Sequence, residues 1–341
     1  MLKEILAQRN IPALRTREEM LEILQKEVYG YLPPKPETLQ FEVVGAIAPN
    51  FCAGKARGDK VMAHCTIGGK EFSFPFCCVV PTEGGKHPFF IHINFRPDVP
   101  DRYMPTEELV DNGYAVLSFN YNDVVRDNED FTDGLAGILF ENGQRKPGDP
   151  GKIAMWAWAA HRLMDYAETL AEELDLTKGI VCGHSRLGKT ALLTAATDER
   201  FAISYSNDSG CTGAAISRGK IGESVERICF RFPYWFCQNY QNHSGHVEEM
   251  PFDQHYLIAS IAPRAVLVGS ASEDEWADPV SEQLGCLAAA PAFGGDFQCD
   301  RIAQIGDAFL EGKVGYHLRK GSHYFSRTDW LRLMEFAAKH L

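Results

Sequence analysis

Between residues 16 and 28 the apolar positions Met20, Leu21, Ile23, Leu24 and Val28 recur at the spacing of one helix face, and Thr16 with Glu19 has the form of a capping box. This pattern predicts an N-terminal helix. It gives way to Tyr29-Gly30-Tyr31-Leu32-Pro33-Pro34, an extended stretch expected to strap the helix across the main body. The period then shortens to two. Leu39–Val44, Val61–Ile67 and Phe72–Val80 read as antiparallel strands separated by glycine-containing turns.

After residue 85 the pattern changes again. Strands are predicted at Pro88–Asn94, Tyr114–Asn120, Gly179–Cys182, Ala202–Ser206, Ala265–Ser270 and Val314–Leu318. Helical segments fall between or after them at Pro105–Asn112, Ala154–Glu173, Thr190–Thr197 and 328–341. Such alternation implies right-handed crossovers and a mostly parallel sheet with helices on both faces, its ligand site at the carboxyl ends of the strands. The fold class is therefore α/β, a three-layer sandwich with antiparallel strands at its N-terminal edge. No repeat or linker interrupts the pattern. A single domain over 1–341 is expected, with 1–35 as helix and strap and 36–341 as the core.

Composition narrows the function. The 341 residues are 45% hydrophobic, enough for a large core, and the net charge of -12 without basic runs argues against a nucleic-acid partner. No segment has the length and apolarity of a membrane span, and the first thirty residues lack the apolar centre of a signal peptide, so a cytoplasmic location is expected. The ten cysteines show neither C-x-x-C spacing nor a regular framework and are expected to be reduced. There is no Gly-x-Gly-x-x-Gly and no Walker sequence, hence no basis for a nucleotide cofactor.

The candidate chemistry lies in Ile180-Val181-Cys182-Gly183-His184-Ser185-Arg186-Leu187-Gly188-Lys189. A β-branched run, a glycine-flanked serine and an Ala/Leu helix describe a strand, a sharp turn and a helix with Ser185 at the apex. A nucleophile elbow has this form, although the second glycine stands at 188 rather than 187. A serine needs a base, and the base an orienting acid. His323, between the last strand and the closing helix, fits the base best. His161, His317 and His340 fall within elements, and His255 precedes the usual position of the acid. Two acids sit at strand ends: Asp208, in Asn207-Asp208-Ser209-Gly210, and Asp274, in Glu273-Asp274-Glu275-Trp276. Both stay open, with Asp208 ranked first. Arg186 and Lys189, three apart at a helix start, share a face beside the serine and suit an anion or oxyanion. Trp276 suits a sugar face or the core equally. The aromatics of Phe230–Phe236 read as a packed flank rather than a binding platform.

Gly183-His184-Ser185-Arg186-Leu187-Gly188-Lys189, together with Asn207-Asp208-Ser209-Gly210-Cys211, Phe232-Pro233-Tyr234-Trp235-Phe236, Pro251-Phe252-Asp253-Gln254-His255, Ile261-Ala262-Pro263-Arg264 and Glu273–Pro279, resembles the bacterial branch of the glucuronoyl esterases, carbohydrate esterase family 15. The resemblance covers residues from about 85 onward. It implies an α/β-hydrolase fold and a metal-free serine esterase acting on esters between lignin alcohols and (4-O-methyl)glucuronic acid of xylan. It further implies Ser185 as nucleophile, His323 as base, Asp208 or Asp274 as acid, Arg186 at the oxyanion, and Lys189, Glu223 and Trp276 as sugar contacts. The chain departs from the family in carrying His184 where cysteine is usual, and in lacking the usual signal peptide. Other sequence-compatible readings are an acetyl-xylan or dienelactone-type hydrolase and a catalytically silent binding protein on the same fold.

Overall fold

The computed structural model describes residues 1–295 and 297–341. Its ten strands are β1 (Thr38–Ala46), β2 (Ala56–Ile67), β3 (Lys70–Pro81), β4 (His87–Asn94), β5 (Ala115–Asn120), β6 (Leu174–His184), β7 (Ile203–Asn207), β8 (Ala265–Ala271), β9 (Ala308–Phe309) and β10 (Val314–Arg319). They form one sheet in the order β1-β2-β3-β5-β4-β6-β7-β8-β10-β9. The first three are antiparallel to one another and β3 is antiparallel to β5. From β5 through β10 the ladder is parallel, and the short β9 closes the edge antiparallel to β10. The predicted α/β class and its antiparallel N-terminal edge are thus observed.

Burial follows from this layering. β7, β8 and β10 are buried at every position, as strands covered on both faces must be, whereas β2 alternates. The alanine-rich helix Lys152–Thr169 is buried on nearly all sides and packs on the elbow helix Arg186–Thr197, to which His161 donates a hydrogen bond at the Thr194 carbonyl (3.1 Å). The predicted capping box of Thr16 and Glu19 opens the helix Arg17–Leu24. The strap then crosses the long helix, where Trp158 Nε1 donates to the Pro34 carbonyl at 2.8 Å. Elements beyond the sequence reading include the helices Leu2–Gln8, Val225–Arg231 and Pro279–Ala289 and the strand β9. Pro279–Ala289 is buried nearly throughout, Ser281, Glu282 and Gln283 included, and so lacks a one-sided helical stripe. All ten cysteines are free. No described helix is long and apolar enough to cross a membrane.

Chain order reverses across β4, since β5 lies on one side of it and β6 on the other. A crevice opens at such a point, outside the carboxyl ends of the strands. Into this region run the ends of β6, β7, β8 and β10, followed by Ser185, Asp208, Asp274 and His323 respectively.

The shifted glycine spacing has a packing cause. A Cβ on Gly183 would lie 2.2 Å from the Leu187 carbonyl oxygen, and one on Gly188 would lie 3.1 Å from the Asn207 carbonyl oxygen and from Ser206 Oγ. Both glycines let the elbow helix rest directly on β6 and β7. Gly183→Ala is expected to cost about 2 kcal/mol or more, read as a lowered urea midpoint. Gly84→Ala, whose Cβ meets nothing within 4 Å, should move it by less than about 0.5 kcal/mol. Equal midpoints for the two variants would contradict this packing.

Candidate active site

Ser185 has φ 59° and ψ -126°, a region that a non-glycine residue enters only when its surroundings hold it there. Its N–H donates to the Asn207 carbonyl at 2.8 Å, and its own carbonyl accepts from the N–H groups of Gly188 (2.9 Å) and Lys189 (3.1 Å). The elbow helix therefore begins at Arg186, one turn earlier than the predicted Thr190. The N–H groups of Arg186 and Leu187 lie in its first turn, where no intrahelical acceptor exists. Positive helix-terminal polarity is thereby gathered beside the serine.

His323 follows β10, with its side chain 42% exposed, and donates from Nδ1 to Asp274 Oδ2 at 2.6 Å. That bond leaves Nε2 as the basic nitrogen. Asp274 is itself buried and accepts from the Ala277 N–H at 3.1 Å. The imidazole of His184 lies against that of His323, ring centroids 4.3 Å apart. His184 donates from Nδ1 to Asn207 Oδ1 at 2.7 Å, and burial lowers its pKa well below that of a free imidazole. It packs against the base without adding a positive charge.

Of the two acids, it is Asp274, ranked second in the sequence, that the histidine bonds. Asp208 Oδ1 accepts from the Ala271 N–H (2.7 Å) and Oδ2 from Arg319 Nη2 (3.2 Å), while Asp274 makes the hydrogen bond to His323. The reason is Arg319, which draws the Asp208 carboxylate toward the sheet; nothing in the local sequence of Asp208 announces this partner. Burial, with Glu282 and Asp329 nearby, raises the Asp208 pKa well above the usual carboxylate range. Asp208, Asp274 and His323 form the one group among the described residues with donor atoms close enough together to hold a metal, all within 4.8 Å of one another.

Ser185 and His323 line a cavity of about 160 Å³ together with Arg186, Lys189, Glu223, Trp235 and Trp276. Lys189 Nζ donates to the Ser209 carbonyl at 2.5 Å and lies 3.8 Å from Glu223 Oε2. Both side chains are buried, and desolvation lowers the lysine pKa against the opposing pull of Glu223. Arg186 pairs with Asp127, and its Cζ lies 4.8 Å from the Trp235 ring centroid. Asp127 also accepts from Trp235 Nε1 (2.6 Å) and the Tyr121 hydroxyl (3.0 Å). The Arg186 Nε is buried with no hydrogen-bond partner among the described residues. Larger hollows, about 350 Å³ beside Phe76 and about 440 Å³ under the N-terminal helix, hold no pairing of serine with histidine and acid.

The cavity thus brings together every residue singled out in the sequence: Ser185, Arg186, Lys189, Asp208, Glu223, Trp276 and His323 line it, and Asp274 stands behind the histidine. Trp276 is 40% exposed at its rim and is no core residue. The aromatic run is corrected: Phe232 and Trp235 line the cavity, stacked at 4.0 Å and 3°, and do not form a mere flank. Asp127, which fixes Arg186, and Asn207, which fixes His184, escaped the sequence reading. Both are polar loop or strand-end residues whose partners are distant in sequence.

Comparison with known proteins agrees with this arrangement. Residues 63–293 match the family profile described as glucuronyl esterase, fungi. A carbohydrate esterase from an unknown prokaryotic organism is 39% identical over 241 residues, covering 69% of this chain and 55% of its own length. The 4-O-methyl-glucuronoyl methylesterase of Podospora anserina is 27% identical over 285 residues, covering 80% of this chain and 54% of that protein. The chain thus spans about half the length of these curated relatives. Among solved structures, a glucuronoyl esterase from Solibacter usitatus superposes with a TM-score of 0.86 at 30% identity, covering 95% of this chain and 91% of the other. A CE15 esterase from a marine bacterial metagenome, described as promiscuous, superposes with a TM-score of 0.85 at 30% identity and the same coverage. By profile, sequence and superposition alike, the chain belongs to the glucuronoyl esterases of carbohydrate esterase family 15.

Proposed function

We propose that the protein is a serine esterase that hydrolyses esters of (4-O-methyl)glucuronic acid through an acyl-enzyme. The observation that carries this reading is the His323–Asp274 pair facing Ser185 in a cavity whose other charged walls are Arg186 and the Lys189–Glu223 pair. Ser185 Oγ attacks the ester carbonyl as its proton passes to His323 Nε2. Asp274 holds the imidazole in the required tautomer and stabilises the imidazolium. Negative charge on the carbonyl oxygen meets the Arg186 N–H and guanidinium, and one such donor is worth about 3 kcal/mol of barrier. The alcohol leaves with the proton from His323, which next deprotonates a water that attacks the acyl-enzyme and releases the uronate. Lys189 donates to, and Glu223 accepts from, hydroxyls of the sugar, while Trp276 offers it a flat face.

The relative described as promiscuous favours a second reading, a broader ester specificity on the same machinery. Benzyl glucuronate, benzyl galacturonate and an aryl acetate, assayed side by side, separate the two. The first reading predicts the highest kcat/KM on the glucuronate ester. Equal or better turnover of the acetate would replace it with the second, and turnover of none would point to a silent binding protein on this fold.

Ser185→Ala should abolish turnover without unfolding the chain. For the acid, Asp274→Asn is expected to lower kcat by about 10²- to 10⁴-fold, since asparagine supports the wrong tautomer of the base. Asp208→Asn should cost less in kcat at equal folded fraction. The reverse order would assign the acid to Asp208.

A further inference from the structure

Two arginines stand at the mouth of the cavity without a carboxylate. Arg227 and Arg231 belong to the helix Val225–Arg231 and, four residues apart, share one of its faces. Their Cζ atoms lie 5.6 Å and 5.7 Å from the ring centroid of Trp276, and Arg231 is also 5.8 Å from the ring of Phe232. Both rings line the cavity. Each guanidinium group therefore lies beside a ring that lines the cavity.

The chain has 46 acidic against 34 basic side chains, and several of its arginines pair with a carboxylate. Arg57, Arg200, Arg301 and Arg332 each do so at 2.6 or 2.7 Å. Among the described residues, neither Arg227 nor Arg231 forms an ion pair, although Glu226, Glu273 and Glu275 are exposed on the adjoining chain segments. Arg227 spends one donor on the Gly222 carbonyl at 2.7 Å, and Arg231 makes only its contacts to the two rings. A guanidinium carries five N–H donors, so most of this capacity faces solvent. Lys220 Nζ donates to the carbonyls of Ile221 (2.8 Å) and Trp276 (3.0 Å), adding a third positive charge near this ring. Between the arginines in sequence, Phe230 is 87% exposed.

Anions, flat apolar faces and closeness to the cavity together specify a ligand. The ester that reacts is uncharged, and the groups that answer its charge development are Arg186 and Lys189, deeper in the site. Cations at the rim must therefore meet a different part of the substrate. We propose that Arg227 and Arg231 form a second subsite that binds a free uronate carboxylate carried by the same glycan as the scissile ester, with Phe230 and Trp276 against its sugar rings. The inference rests on the glucuronate-ester reading and narrows it: the preferred substrate is an acidic oligosaccharide bearing more than one uronate, only one of them esterified. Planar guanidinium groups pair with carboxylates in a forked geometry that a lysine rim would not provide.

Binding tests this independently of turnover. The chain carrying Ser185→Ala is titrated calorimetrically with a xylo-oligosaccharide bearing two free uronates, with one bearing a single uronate, and with a neutral one. At low salt the two-uronate ligand should bind about three- to tenfold more tightly than the single one, an advantage erased by Arg227→Gln/Arg231→Gln and reduced by salt, as for exposed ion pairs. The double substitution in the otherwise unchanged enzyme should leave kcat/KM on benzyl glucuronate within about twofold, because that ester carries no free carboxylate for the two arginines to meet. Equal affinity for the one- and two-uronate ligands would overturn the subsite. So would an advantage that survives the double substitution, or an equal loss of affinity for the neutral ligand, which would make the arginines mere supports of Trp276. If benzyl glucuronate is not hydrolysed but the two-uronate advantage holds and needs the arginines, the esterase reading falls and the subsite stands.

Discussion

Everything at the site depends on one backbone constraint, the left-handed conformation of Ser185 between β6 and its helix. A residue with a side chain pays about 1–3 kcal/mol to sit there and stays only because neighbouring structure determines it. That determination comes from contact without side chains: Gly183 against the Leu187 carbonyl, Gly188 against β7, and the Ser185 N–H on the Asn207 carbonyl. Once the turn is fixed, the serine hydroxyl and the first-turn amides of the helix are fixed with it. The reacting oxygen and the polarity that answers its chemistry are set by the same few atoms.

The second requirement is a histidine on a loop that nonetheless holds its direction. Here the buried charges beneath the site matter. Arg319, at the end of β10, donates to Asp208, to Asp329 at 2.7 Å, and to the carbonyls of Ser322 and Tyr324 on either side of His323. Asp329 in turn caps the closing helix through Ser326. One guanidinium thus ties the loop, the helix start and the end of β7 together. It is Arg319 that the Asp208 carboxylate meets, while Asp274 bonds His323. Glu282, pushed up to about 7 by burial, holds the opposite wall through Ser270 Oγ (2.6 Å) and the Gly210 N–H (2.8 Å).

Much of this was legible in the sequence because it is local. The change of hydrophobic period marked the antiparallel edge and the parallel core, Thr16 and Glu19 marked a helix start, and Gly183 to Lys189 marked the elbow. The place of His323 between the last strand and the closing helix singled it out as the candidate base. What stayed hidden involves partners far apart in sequence: Arg319 with Asp208, Asp127 with Arg186, and Asn207 with His184. No pattern within a window reports such pairs, so the choice between Asp208 and Asp274 could not be made from their own loops. The aromatic run before Cys237 misled for a related reason. A stretch of large apolar residues looks the same whether it faces a core or a cavity, and only the fold puts Phe232 and Trp235 on the cavity wall.

The account stands or falls on Ser185 being an activated nucleophile. The most direct measurement is mass spectrometry of the intact chain and its peptides after exposure to a serine-directed phosphonate. The account predicts one adduct per chain, on the Ser185 peptide, forming far more slowly when His323 is replaced by alanine. No adduct, an adduct on a different residue, or a labelling rate indifferent to His323 would contradict it.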